Sequence, residues 1–427
     1  MRLTKRMMGL MALSAVAAAL VVVVGLNLIP AEKQLDRKLE HRYRLNDPQF
    51  RREMSYLLGP TIVPGNRVTR YSNGIQIFPA MLAAVRAAEH SITFETYIYW
   101  SGDIGREFAR ALAERATAGV KVHVMLDWLG SVKMDASLIH ELKEAGVEVQ
   151  RYHPLSWYHL GRINNRTHRK VLVVDGQIAS TGGVGIADKW NGDAQDPDHW
   201  RDEHFRIEGL AAAQAQAVFL DNWIKVTGTV LHGETYFPPI DAAGTADAQM
   251  FSSSPQGGSE SMLLMYLLAI AAAENTIDLS ASYFVPDDLT RRALLAALKR
   301  GVVLRIIVPG KHIDADMVRM ASRAKWGPFL AAGALIHEYE PTMFHCKIMI
   351  VDHYLVSVGS TNFDNRSFSL NDEANLNVFD QTFAAAMTQV FEADLLKAKR
   401  VTLELWQDRP LHQRVREMLV WPWASQM

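Results

Sequence analysis

Hydrophobic positions follow three different rhythms along the chain. From Met7 to Pro30 the residues MMGLMALSAVAAALVVVVGLNLIP carry no charge. At 1.5 Å per residue such a run is long enough to cross a hydrocarbon core of roughly 30 Å, so a transmembrane helix is predicted. Arg2, Lys5 and Arg6 precede the run, as in a secretory signal, but it exceeds a signal's usual apolar length and has no evident small-x-small exit, which favours an uncleaved anchor. Lys33, Arg37, Lys38, Arg42 and Arg44 load the other flank as well, so the positive-inside rule leaves the orientation open. Beyond this point short β-branched runs such as VKVHVMLD, KVLVVD and LRIIVP read as strands, while REFARALAERATA and TRRALLAALKRG have helical spacing. The alternation predicts an α/β fold in which mainly parallel sheets are flanked by helices.

These elements occur twice in the same order. AEHSITFE at Ala88–Glu95 returns as AENTIDLS at Ala273–Ser280, GVKVHVMLD from Gly119 as GVVLRIIVP from Gly301, and AGVEVQRYHP from Ala145 as AGALIHEYEP from Ala332. A duplication with two similar halves facing each other is the economical reading. Leu231–Gln249 mixes Pro, Gly and Ala without periodicity and reads as the linker. The predicted organisation is an anchor and basic flank over 1–45, a first half over 46–230, the linker over 231–249, a second half over 250–400 and an amphipathic tail over 401–427.

Composition narrows the function. The 427 residues exceed the usual size of one core, and 49% hydrophobic with 21% charged residues describes a globular protein with one greasy segment. A net charge of −1 gives no electrostatic case for nucleic acid, so none is expected as a partner. Cys346, the one cysteine, excludes an intramolecular disulfide or a cysteine-built zinc site, and the 15 histidines show no metal-ligand spacing on a helical stretch.

The chemistry sits in the last repeated pair. In THRKVLVVDG, His168 and Lys170 stand at i and i+2 of an apolar run with Asp175 behind, and FHCKIMIVDH repeats this with His345, Lys347 and Asp352. On a strand, residues two apart leave from one face. Two imidazoles and two ammonium groups meeting at a seam would supply a nucleophile, a proton donor and two phosphate clamps, the inventory of phosphodiester exchange. Asp175 and Asp352 are read as site-supporting, with an ordinary turn-forming role as the alternative. Arg201 and Arg366 could touch lipid phosphate or form ion pairs, and Cys346 should point away into core.

H-x-K-x4-D occurring twice, with GGVG and GSTN after it, resembles the paired signature of the phospholipase D superfamily. The segments FETYIYW, HWRDEHFRIEG, ASYFVPDD, HEYEPTMFHCKIMIVD and GSTNFDNRSFSLNDE are similar to bacterial cardiolipin synthases over most of the chain beyond Ser55. The resemblance implies two phospholipase D-type halves around one site and a phosphohistidine intermediate. It also implies phosphatidylglycerol as donor, a lipid alcohol as acceptor, no metal or other cofactor, and residence in the bacterial inner membrane. By position it makes Ser360 and Asn362 phosphate-site residues beside Lys170 and Lys347, Glu373 the carboxylate orienting an imidazole in the second half, and Asp202 its counterpart in the first. His168 is the expected nucleophile and His345 the general acid and base, an assignment the near symmetry leaves reversible. Gly185 stands where the pattern has Asn, removing one donor from the phosphate site. The tail TLELWQDRPLHQRVREMLVWPW resembles the aromatic end that closes these enzymes and suits a membrane interface. A hydrolase releasing phosphatidic acid, a nuclease and a non-catalytic membrane-binding protein are the competing readings.

Overall fold

The computed structural model describes residues 5–28, 35, 37, 39–154, 164–255 and 259–420. Its first half contributes β1 (Val63–Ser72), β2 (Ser91–Thr96), β3 (Lys121–Asp127), β4 (Glu148–Tyr152), β5 (Lys170–Val174), β6 (Ile178–Gly182) and β7 (Glu203–Glu208). The second contributes β8 (Ala246–Ser253), β9 (Thr276–Ala281), β10 (Phe284–Val285), β11 (Val303–Pro309), β12 (Leu335–Tyr339), β13 (Lys347–Val351), β14 (Leu355–Gly359), β15 (Phe363–Asp364), β16 (Glu373–Phe379) and β17 (Ala398–Val401). The predicted linker thus overlaps β8 from Ala246. Fifteen of these strands form one sheet in the order 17-12-11-9-13-14-16-8-1-7-6-5-2-3-4, and β10 pairs with β15 separately. The order is the same read inward from either end, apart from the added edge strand β17, so the duplication is visible in the topology. The halves join through antiparallel β1 and β8.

The sheet is mixed, not mainly parallel as the sequence predicted. Parallel pairing in it is confined to β2–β3–β4 and β9–β11–β12, where helices such as Asp103–Thr117 and Asp288–Arg300 make the crossovers. β5–β6–β7 and β13–β14–β16 run antiparallel. The reason is local: β5 turns into β6 through Asp175 and Gly176 at φ 51° and 65°, and β13 into β14 through Asp352 and His353, both at 50°. Two successive positive φ values close a tight hairpin, which leaves no chain for a crossover helix.

Both faces of β5 and β13 are covered, which is why their sequences are apolar without alternation. Leu172 and Val174 face the core of the first half and Met349 and Val351 that of the second. Val171, Val173, Ile348 and Ile350 share a third core across the seam. The N-terminal helix Lys5–Leu28 comprises 24 residues and, unlike the others, shows only exposed side chains where these are described. The predicted span is not met as such: among the described residues, whose side chains run unbroken on this helix only from Arg6 to Val22, no helix is long and apolar enough to cross a membrane.

Candidate active site

β5 and β13 each begin at the lysine of their motif, and the residues just before them are pinned to the opposite half. Thr167 bridges to Asp372 and Phe344 to Arg201. The His168 amide donates to the Asp372 carbonyl and the His345 amide to the Arg201 carbonyl, each at 2.8 Å. The next residue along each pinning strand is a carboxylate, so Glu373 and Asp202 are delivered across the seam. His168 Nδ1 lies 3.0 and 3.1 Å from the Glu373 oxygens, and His345 Nδ1 lies 2.8 Å from Asp202 Oδ2. This corrects the sequence reading, which had Asp202 serving the first half's imidazole and Glu373 the second's. The carboxylates are exchanged because a parallel bridge between halves, not the fold of one half, sets their register.

A carboxylate on Nδ1–H fixes the tautomer and leaves Nε2 for chemistry. Lys170 Nζ donates to the His168 carbonyl at 2.8 Å, and Lys347 Nζ to the His345 carbonyl at 2.7 Å. Lys347 Nζ also lies 3.1 Å from His345 Nδ1 and 3.2 Å from Nε2, whereas His168 Nε2 has no hydrogen-bond partner among the described residues. All six groups are buried. Burial lowers His168 to about 4, against the pull of Glu373, and holds His345 well below the usual imidazole range with Lys347 adding to the effect. Burial likewise brings Lys170 down to about 7 against Glu373, lowers Lys347, and pushes Asp202 up to about 6 against Lys347. Glu373 goes the other way, because His168, Lys170 and Ser360 together outweigh its burial. A buried anion arriving between these groups would raise every one of the basic pKa values.

The two halves complete their sites differently. Ser360 Oγ donates to Glu373 Oε2 at 2.5 Å, and Asn362 Oδ1 accepts from Ser282 Oγ at 2.7 Å, which in turn accepts from Lys347 Nζ at 2.8 Å. The matching places in the first half are Gly183 and Gly185. A Cβ at Gly183 would lie 2.3 Å from Asp202 Oδ1, and one at Gly185 would lie 2.8 Å from Ile98 Cβ and 3.2 Å from the Trp190 ring. Trp190 fills that space, and its Nε1 donates to Asp202 Oδ2 at 3.0 Å in place of a serine. The indole thus occupies the space that Gly185 leaves open and makes to Asp202 the contact that Ser360 makes to Glu373.

Sequence reasoning missed Trp190 and the walls of the site. Tyr97 packs edge-on against His168 with ring centroids 5.1 Å apart, and Trp190 and Trp200 flank His345 at 5.2 and 5.4 Å. Ser282 was missed too. Tyr97 and Trp200 lay inside segments noted for their resemblance, but nothing in their spacing marked them individually.

Other predicted residues lie elsewhere. Asp175 accepts from the amides of Glu89, His90 and Ser91, and Asp352 from those of Glu274, Asn275 and Thr276. Both sit at the far end of their strand, about 16 Å from the lysine at ~3.3 Å per residue, so they clamp a turn and do not reach the imidazoles. Arg201 forks onto Asp394 at 2.9 and 3.0 Å with Glu203 at 2.6 Å, and Arg366 donates to Asn164. Cys346 is buried in the shared core, with its thiol pushed up chiefly by that burial.

The family model described as cardiolipin synthase, PLD-like domain, matches residues 81–195 and 266–395, one stretch in each half. The chain is 32% identical to the cardiolipin synthase of Alkalihalophilus pseudofirmus over 394 residues, covering 89% of this chain and 78% of that protein. It is 35% identical to the cardiolipin synthase of Geobacillus kaustophilus over 349 residues, 81% of this chain and 69% of that one. In fold it is similar to phosphatidylserine synthase of Haemophilus influenzae, with a TM-score of 0.66, 12% identity and coverage of 88% of this chain and 97% of that one. With a match in each half and these relatives along most of its length, the chain belongs to the family of cardiolipin synthases with the PLD-like domain.

Proposed function

We propose that the chain is a phosphatidyltransferase that takes the phosphatidyl group of phosphatidylglycerol and passes it to a second phospholipid alcohol, giving cardiolipin and glycerol. The observation that carries the reading is the exchanged pair of imidazole–carboxylate contacts, which aims two Nε2 atoms and two ammonium groups at one buried place. His168 is the nucleophile: its Nε2 is unpartnered among the described residues, while the His345 ring has the Lys347 ammonium at 3.1 and 3.2 Å from its two nitrogens. The phosphate of the donor, held by Lys170, Lys347 and the Ser282–Asn362 chain, raises the pKa of His345, which takes up a proton. His168 Nε2 bonds to phosphorus as the P–O bond to glycerol breaks, and His345 gives its proton to the leaving oxygen. In the second step His345 removes the proton of the acceptor hydroxyl, whose oxygen displaces His168 from phosphorus. Glu373 and Asp202 keep the imidazoles in register throughout.

The helix Lys5–Leu28 attaches the chain to the bacterial inner membrane. Residues such as Leu10, Leu13 and Val21 stand exposed around it, and a helix apolar on every side suits lipid better than water.

Incubation of the solubilised protein with labelled phosphatidylglycerol, followed by lipid mass spectrometry, tests the reading. Cardiolipin plus glycerol, abolished in His168→Ala and in His345→Ala, is the expected result. Phosphatidic acid alone would make the protein a hydrolase and overturn the transfer step.

A further inference from the structure

The helix Leu411–Val420 is turned inside out. Its buried residues are Glu417 and Val420. Glu417 is clasped by Arg409 at 2.9 and 3.1 Å, while Leu411, Val415, Met418 and Leu419 face outward, Leu411 and Met418 each 73% exposed. Spacings of four, three and one place these four side chains on one stripe. A helix that hides its acid and shows its apolar face has a further surface to meet.

That surface continues toward the segments that carry the site. Val420 packs with Val285 and Ala321. Val285 lies in β10, just past Ser282 and Tyr283, and pairs with Asp364 just past Asn362. After β11 the chain passes Asp314, which accepts from the Tyr283 hydroxyl, and reaches Met317, 50% exposed. The first half repeats the device after β3: Leu129 and Val132 stand exposed, Val132 at 66%, on a turn whose Gly130 packs against the backbone of Tyr97, the residue on the His168 ring. In both halves, then, exposed apolar side chains stand on segments that touch Tyr97 or Tyr283. The exposed charges of the helix Leu411–Val420 are Arg414 and Arg416, neither in an ion pair among the described residues, and Lys133 lies on the Trp100 ring beside the first turn.

We propose that this face, formed by the turn Leu129–Lys133, Met317 and the outer stripe of Leu411–Leu419, docks on an anionic lipid surface and sets the cleft mouth against it. The inference rests on the lipid-transfer reading of the site and adds how substrate reaches it: the donor enters from the bilayer with its acyl chains still solvated by lipid. Apolar side chains over arginines match the acyl and headgroup layers of an anionic leaflet, and their position around the opening favours lipid over a second protein.

The full-length protein, carrying Val132→Cys, Met418→Cys or Val303→Cys with an environment-sensitive fluorophore, is reconstituted into vesicles of phosphatidylethanolamine and phosphatidylglycerol containing a doxyl-labelled lipid. Cys346 is buried, so label goes to the introduced thiol. Val303 is the control, exposed at the opposite end of β11, about 20 Å from the cleft at ~3.3 Å per residue. Strong quenching at 132 and 418 with little at 303 is expected; equal quenching at all three, or none at 132 and 418, overturns the proposal. Leu411→Asp with Met418→Asp should lower turnover of vesicle phosphatidylglycerol about tenfold while leaving monomeric short-chain substrate within about twofold. Equal loss on both substrates, or loss on neither, overturns it, as does a dimer that this pair of changes dissolves. If the wild type turns over neither substrate, the transfer reading fails while the quenching pattern still decides the docking face.

Discussion

The second half of the site is stitched by small polar side chains, and the first by an indole. Ser360 steadies Glu373, and Asn362 reaches Lys347 through Ser282, whereas Gly183 and Gly185 vacate the corresponding places for Asp202 and Trp190. One task, holding a buried carboxylate on an imidazole, has two solutions. The difference teaches that Gly185 cannot be judged from its own position. Read alone it is a lost donor; read with Trp190 it is the clearance that admits an indole donating to Asp202, as Ser360 donates to Glu373.

The comparison is broken most sharply at the carboxylates. Glu373→Gln should cut kcat about 10³- to 10⁴-fold, because an amide favours the wrong tautomer of His168. Asp202→Asn should lose less, about a hundredfold, if His345 serves only in proton transfer; equal losses in steady-state kinetics would make the two halves equivalent. Trp190→Phe keeps the ring and removes the donor to Asp202, a loss of ~1.5–3 kcal/mol that lowers kcat about 10- to 100-fold. Since that hydrogen bond holds the Asp202 carboxyl down, its loss raises the carboxyl further above 6, and the acidic limb of the kcat/KM profile moves to higher pH.

Gly185→Asn tests the clearance. Restoring the residue of the family pattern should destabilise the fold by about 1–3 kcal/mol in denaturant unfolding, through the contacts with Ile98 and Trp190, and should not raise activity. The smallest effect on chemistry is expected at Asp175→Asn and Asp352→Asn. Each loosens three amides at a turn, costing about 1–3 kcal/mol of stability, with kcat/KM of the folded protein unchanged.

The duplication was legible because repetition survives at the level of residue type, and the imidazoles and lysines were legible because their motif recurs in register, although each histidine stands just before its strand and not on it. Asp175 and Asp352 were misplaced for an instructive reason. A motif groups residues by sequence, but a strand separates its two ends by its full length, and an Asp-Gly pair between apolar runs, present at Asp175 though not at Asp352, is also the ordinary signal of a hairpin. The same signal would have shown the sheet to be mixed. The exchanged carboxylates were beyond reach, since the bridges Thr167–Asp372 and Arg201–Phe344 join segments whose relative register no local pattern records.

The crossing of those contacts has a consequence for ancestry. Residue i of one half serving j of the other, and the reverse, is the bookkeeping of an isologous pair related by a two-fold axis. A chain holding one half alone would carry an imidazole without its carboxylate, so the unduplicated form could have had a complete site only as a symmetric dimer. Fusion through β1 and β8 removed the requirement that both copies be identical. Each half is then free to carry its own stitching, and in this chain serine and asparagine do so on one side and tryptophan on the other.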